Sequence, residues 1–173
     1  MSDTLITIRS IFLAAILMFI FPLMSITERN DDISQTVVQT ATSDFVDEIS
    51  ITGSIKSSDY DSYVARLAAT GNTYDIEIEV QHLDENPGKK ATSTSGDLVG
   101  ENVRYSTYTT EILEKVNSDS TYPLKKGDNV IVTAKNTNKT IAQILRNFFY
   151  QVTGQGSYQV AASAASMVVN NGK

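Results

Sequence analysis

The apolar residues change their pattern partway along the first fifty residues. From Leu5 to Ile26 only Arg9 carries a charge, and Ile11 to Met24 contains no polar residue. Fourteen residues of helix rise about 21 Å, short of the roughly 30 Å hydrocarbon core of a bilayer. The 22 residues from Leu5 to Ile26 span it if Arg9 snorkels to the surface. A helix greasy all round needs lipid or other helices about it. The residues expected to carry that contact are Ile11, Phe12, Leu13, Ile16, Leu17, Phe19, Ile20, Phe21, Pro22 and Leu23. Pro22 breaks one i→i−4 bond, a loss that neighbours in lipid or in a bundle can offset.

Beyond Glu28, Arg29, Asp31 and Asp32 the period becomes helical and one-sided. Ile33, Val37, Val38, Ala41, Phe45, Val46 and Ile49 read as one stripe, with Ser34, Gln35, Gln39, Ser43, Asp47 and Glu48 opposite. Gly53 closes the segment. The two halves together predict one rod over residues 5–51. Its second half has a domain-docking face made of Ile33, Val37, Val38, Ala41, Phe45 and Ile49. The chain thus divides into a membrane-anchor half-helix, 1–27, and an extracytoplasmic domain, 28–173, that includes the amphipathic half.

Three readings of the first segment compete: a cleaved signal peptide, a buried core helix and a retained anchor. Ser25-Ile26-Thr27-Glu28 is not a small-x-small cleavage site, and an N-terminal run this apolar fits a core helix poorly. A retained single-pass anchor is the reading favoured. Arg9 before the run and the acidic residues after it put the N-terminus in the cytoplasm and the domain outside.

The rest reads as an α+β domain. Ser57 or Ser58 caps a short helix with Tyr60, Tyr63, Val64 and Leu67 inward, ending near Gly71. Tyr74–Leu83 alternates Tyr74, Ile76, Ile78 and Val80 with Asp75, Glu77, Glu79 and Gln81, a strand with one wet face. Asp84–Gly100 is loop. Tyr108–Val116 and Ile141–Gln151 are helices, Asn129–Ala134 and Tyr158–Val169 strands, and Tyr122–Asp128 a turn. A three- or four-stranded, mainly antiparallel sheet with the rod and two or three short helices on one face is expected.

Composition narrows the chemistry. The 173 residues contain no cysteine, which removes disulfides, thiolate metal sites and cysteine nucleophiles. A formal charge of −6 with scattered Lys and Arg offers no footprint for nucleic acid. His82 is the single histidine, so a multi-histidine metal site is excluded, and a lone histidine at a strand end is usually structural. Asp75, Glu77 and Glu79 stand about 7 Å apart in a row, near the spacing of inverting glycosidase carboxylates; a solvated strand face explains them better. Asp84, Glu85, Asn86 and Gly88 lack calcium-loop spacing. Gly154-x-Gly156 lacks the third glycine of a dinucleotide fingerprint, and Asn138-Lys139-Thr140 is a short glycosylation match. No catalytic motif, cofactor or small-molecule substrate is indicated.

A greasy N-terminal helix with a proline inside it, an amphipathic continuation and a following sheet domain resemble type IV pilin-like proteins. Among these the chain looks most like TadE-like minor pilins or pseudopilins of Tad/Flp-type systems. The likeness covers Leu5 to Ile49 by architecture. Such precursors carry a leader ending in a small residue and a glutamate early in the apolar run. Here no glycine precedes Ile11 and no carboxylate lies between Asp3 and Glu28. The resemblance implies a structural subunit of a membrane-associated filament or secretion apparatus. Its partners would be the membrane and copies of itself, or other pilin-like subunits, met through the N-terminal helix. The competing readings are a membrane-anchored binding or adaptor module and a tethered enzyme using the carboxylate row.

Overall fold

The computed structural model describes residues 2–83, 104–138, 144 and 161–172. The expected loop 84–100, the expected helix Ile141–Gln151 apart from Ile144, and the Gly154-x-Gly156 turn lie outside the described residues. One helix, α1 (Ser2–Thr52), runs unbroken through Pro22. It is followed by β1 (Ser54–Lys56), α2 (Ser57–Ala68), β2 (Tyr74–Leu83), β3 (Arg104–Tyr108), α3 (Thr109–Asp119), β4 (Thr121–Pro123), β5 (Asn129–Asn136) and β6 (Ala161–Met167). The fold is α+β: a long N-terminal helix packed on a small antiparallel sheet with two further helices.

The sheet has strand order β3-β2-β5-β6, all antiparallel, and β1 and β4 form a separate ribbon. The alternation of β2 sets its two faces. Ile78, Val80, Val130, Val132, Ala134 and Ala162 are buried on one, with Ile76 and Ala164 packed against them. The charged residues of β2 lie on the other. The core face of β6 is Ala162, Ala164 and Ser166, small side chains that let a helix lie close above it. The helix does so. Gln35 Nε2 donates to the Ala161 carbonyl at 2.7 Å, and the Val169 N–H donates to the Ser50 carbonyl at 3.1 Å. α1 therefore runs along β6 from its beginning to just past its end.

Val38, Ala41, Phe45, Val46 and Ile49 of α1 are buried in the core. Ile33 and Val37 are not: they are 56% and 39% exposed. Ile33 lies sixteen residues before Ile49, and at about 100° per residue that places it about 160° round the helix, off the buried stripe. Ser34, expected on the polar outer face, is buried, and so is Asp31 of the acidic group before it. They fall on the Val38–Ile49 side of the helix, so the seam continues toward the N-terminus with polar residues.

α2 packs against α1 through stacked rings of Phe45 and Tyr63, 4.6 Å apart. The buried Thr42 hydroxyl lies 2.9 Å from the Tyr63 hydroxyl and donates back to the Val38 carbonyl. The expected serine cap of α2 is absent. Lys56 occupies the cap position without a side-chain bond, because it is paired with Thr121 in the ribbon and the Ser57 N–H is taken by the Ser120 carbonyl. β1, β3 and β4 are strands where turns, or no element, were expected. They are short and mostly lack alternating apolar residues, so the period-two signal is weak there.

α1 ends in a clasp. Gly53 takes φ +71° and its N–H returns to the Ile49 carbonyl at 2.9 Å. Its own carbonyl accepts from the Leu124 N–H at 2.8 Å, while Gly172 N–H reaches the Leu124 carbonyl at 2.9 Å. The Asn170 side chain caps the Ile51 carbonyl at 2.7 Å. A side chain at Gly53 would put its Cβ 2.3 Å from the Asn170 carbonyl oxygen. Gly71, at φ +77°, has open space around it. Gly71→Ala should therefore cost only backbone strain, about 1–2 kcal/mol. Gly53→Ala adds a backbone clash and should cost about 2–5 kcal/mol in all. Denaturant unfolding of the full chain in detergent checks this; equal losses at the two glycines would remove the clasp from the account.

Candidate functional site: the uncovered half of the long helix

From Asp3 to Asn30 no residue of α1 is buried; the first buried residue is Asp31. Ile11, Phe12, Leu13, Ile16, Phe19, Phe21, Pro22 and Leu23 are exposed, with Phe19 at 76%; Leu17 and Ile20 are partly covered by their helical neighbours. Among the described residues, none of the domain covers this segment closely enough to bury it. α1 is one helix long and apolar enough to cross a membrane, by length and composition. Two of its polar side chains do not oppose that. Thr7 donates to the Asp3 carbonyl, and Thr27 to the carbonyls of Leu23 and Met24, so both hydroxyls are satisfied within the helix. Phe12, Ala15, Ile16, Phe19 and Ile20 line a shallow apolar hollow.

The structure thus separates the residues selected from sequence into three sets. The ten residues from Ile11 to Leu23 stand clear of the domain. Val38, Ala41, Phe45 and Ile49 are inside it, while Ile33 and Val37 lie between, on the surface. Beside them is a hollow formed with Asn30, Ser34, Ala69 and Thr70.

The polar candidates sit elsewhere. Asp75, Glu77 and Glu79 are on the open sheet face. Glu77 pairs with Lys135 at 2.9 Å, both exposed. The Ser106 hydroxyl at 2.6 Å and the Gln81 amide at 3.1 Å donate to Glu79 and hold its carboxyl below the usual carboxylate range. Asn138 is pinned: its Oδ1 accepts from the Thr73 N–H and its Nδ2 donates to Asn72. Asp84, Glu85, Asn86 and Gly88 lie outside the described residues. Among the described residues no three His, Asp or Glu side chains group closely enough to hold a metal ion.

One polar cluster was not legible in the sequence. His82, at the buried end of β2, has Nδ1 2.9 Å from Asp128 Oδ2 and Nε2 3.1 Å from the Tyr122 hydroxyl. A carboxylate only accepts, so Nδ1 carries a proton toward Asp128; in the neutral ring Nε2 accepts from Tyr122. Asp128 is 2% exposed and also accepts from the Lys125 N–H at 2.8 Å. Its carbonyl takes the Val168 N–H at 2.8 Å. Forty-six residues separate His82 from Asp128, and no local pattern links them. The arrangement ties β2 to the β4–β5 turn and to the segment after β6. Both ring nitrogens are occupied by these ties, which brace three separate parts of the fold against one another.

No family model, no curated protein and no solved structure matches this chain.

Two outcomes follow from the buried polar groups. Asp128→Ala strands the His82 Nδ1–H and the Lys125 N–H and should lower stability by about 2–4 kcal/mol in denaturant unfolding, with Asp128→Asn losing less. A loss near zero would mean that water replaces the carboxylate. Burial also raises the pKa of Tyr60, Tyr63 and Tyr122; the Asp61 charge adds to this at Tyr60, the Thr42 hydroxyl opposes it at Tyr63 and the Thr107 hydroxyl at Tyr122. A folded pKa above the unfolded value holds the proton more tightly in the native state. The associated stability is complete below about pH 10 and is lost as pH rises past it. Ultraviolet titration should show these tyrosines ionising after the exposed ones, with thermal stability falling over the same alkaline range. Simultaneous ionisation of all tyrosines in the folded protein would contradict it.

Proposed function

We propose that this chain is a structural subunit of a membrane-associated filament or secretion apparatus, of the pilin-like or pseudopilin-like kind. In this reading it acts without catalysis and is held by a single pass with its N-terminus in the cytoplasm. The observation that supports the reading is the division of α1. One uninterrupted helix has its second half clamped into an α+β domain and its first half bare. The domain fixes the direction of the helix, and the bare half needs an apolar partner that the domain does not supply. Lipid meets that need for a monomer. Helices of neighbouring copies meet it in a polymer, where Phe12, Ile16 and Phe19 would interlock around Ala15. Exchange between the two environments keeps the same apolar surface covered, so its cost is small compared with exposing that surface to water.

The absence of cysteine makes this directly testable. Single variants Phe12→Cys, Ile16→Cys, Phe19→Cys and Leu23→Cys would be expressed in the full chain, and the membrane fraction extracted with carbonate and oxidised. The chain is expected to stay in the pellet and to form disulfide-linked dimers at these positions, which share one helix face. Sheared material should contain polymer by electron microscopy. A carbonate-soluble chain would defeat the membrane reading. A pelleted chain that stays monomeric at every position would leave a single-pass adaptor module instead.

A further inference from the structure

β2 is longer than its partner on one side. β5 accompanies it from Tyr74 to Gln81, but the β3 register runs from Leu83↔Arg104 only as far as Glu79↔Tyr108. There β3 turns into α3. The first residue of that helix, Thr109, takes over for one position: its hydroxyl accepts from the Ile78 N–H at 2.7 Å and lies 3.3 Å from the Ile78 carbonyl. Those two bonds show that Ile78 presents its backbone groups away from β5. By the period of two, so do Ile76 and Tyr74. Among the described residues no strand pairs with Tyr74–Glu77 on this flank. The result is a short sheet edge that begins where β3 stops.

The side chains beside this edge are specific in charge. Asp75 and Glu77 are exposed on the open face and Glu79 follows them, with Lys135 as the cation paired to Glu77. On the opposite face Tyr74 and Ile76 are half-buried against the core. Next to Glu77 lies a hollow on the open face, lined among others by Glu79, Tyr108, Thr109, Ile131 and Thr133. Carboxylates, hydroxyls and the face of a largely exposed tyrosine ring are what a guanidinium or ammonium group binds.

The charge pattern also excludes one occupant. Antiparallel pairing of this edge with the same edge of a second copy, centred on Ile76, sets Asp75 opposite Glu77. Like charges directly opposite destabilise a ladder. The edge is thus guarded against self-pairing and open to a strand of opposite charge.

We infer that the Tyr74–Ile78 edge of β2 receives a short extended segment of another protein, with Arg or Lys at alternate positions and apolar residues between them. The segment adds a strand in line with β3. Its basic side chains lie over Asp75 and Glu77, one of them entering the hollow beside Glu79 and Tyr108. Its apolar residues face the side of Tyr74 and Ile76. Backbone bonds to Ile76 and Tyr74 supply the docking, and the carboxylates select the sequence. The inference does not depend on the membrane helix or on polymerisation.

The test uses the full chain in neutral detergent with three synthetic probes: a peptide alternating Arg and Val, the same peptide with Pro for a central Val, and one alternating Glu and Val. Fluorescence anisotropy reads binding, and amide hydrogen exchange reads its place. The Arg/Val peptide should bind saturably and slow exchange within residues 74–78. The proline peptide keeps the charge but lacks a central N–H, and should bind about tenfold more weakly or worse. The Glu/Val peptide should not bind. The double variant Glu77→Gln, Glu79→Gln, with its folding verified by unchanged thermal unfolding, should weaken the Arg/Val peptide by about tenfold. A variant that fails to fold is replaced by Asp75→Asn, for which a loss is again expected. Absence of binding, equal binding of the proline peptide, or protection only outside residues 74–78 would each overturn the assignment.

Discussion

The structure depends on one contact: the seam by which residues 38–50 of α1 are sunk into the domain. Val38, Ala41, Phe45, Val46 and Ile49 meet the sheet across the small side chains of β6, and the Phe45–Tyr63 stack brings α2 onto the same helix. Without that seam the β5–β6 side of the sheet would lose its cover. With it, the helix is fixed at one end and its direction is set for its whole length, because no break or hinge interrupts it at Pro22 or at the acidic residues beyond. The domain therefore acts as a handle on a rod, and where the handle sits determines what the free end of the rod can reach.

The far end of the seam is closed with unusual economy of residues. Gly53, Leu124, Asn170 and Gly172 exchange backbone and side-chain bonds in a space where neither glycine admits a side chain. The His82–Asp128–Tyr122 brace stands next to this clasp and joins the long strand β2 to the same turn. Polar bonds hold the distal end of the domain together, while apolar packing holds its middle. Both arrangements lie well away from the apolar half of α1.

Much of the fold was legible in the sequence. The strict alternation of Tyr74–Leu83 gave β2 with its observed limits, and the spacing of Val38, Ala41, Phe45 and Ile49 gave the buried stripe. Ile33 and Val37 were misread because a stripe extended over sixteen residues drifts round a helix of 3.6 residues per turn. β3 was missed because an edge strand with Arg104, Ser106 and Tyr108 on it has little to bury. The Asp128 brace was illegible for a different reason. Its members are brought together by strand register, and Asp128 in isolation reads as an ordinary turn residue. The apolar half of α1 was the clearest signal of all, since an uninterrupted greasy run states its need for an apolar environment without reference to any fold.

The most direct test of the account is a thiol-accessibility scan along α1 in sealed membrane vesicles, using single cysteines in a chain that has none. A water-soluble maleimide should fail to label Ile16→Cys and Phe19→Cys in intact membranes. It should also fail at Ala41→Cys both in membranes and in mild detergent, because the domain itself covers that position. Gln39→Cys should react in every condition. Free labelling of Phe19→Cys in intact vesicles would contradict the proposed placement of the apolar half of α1 in lipid.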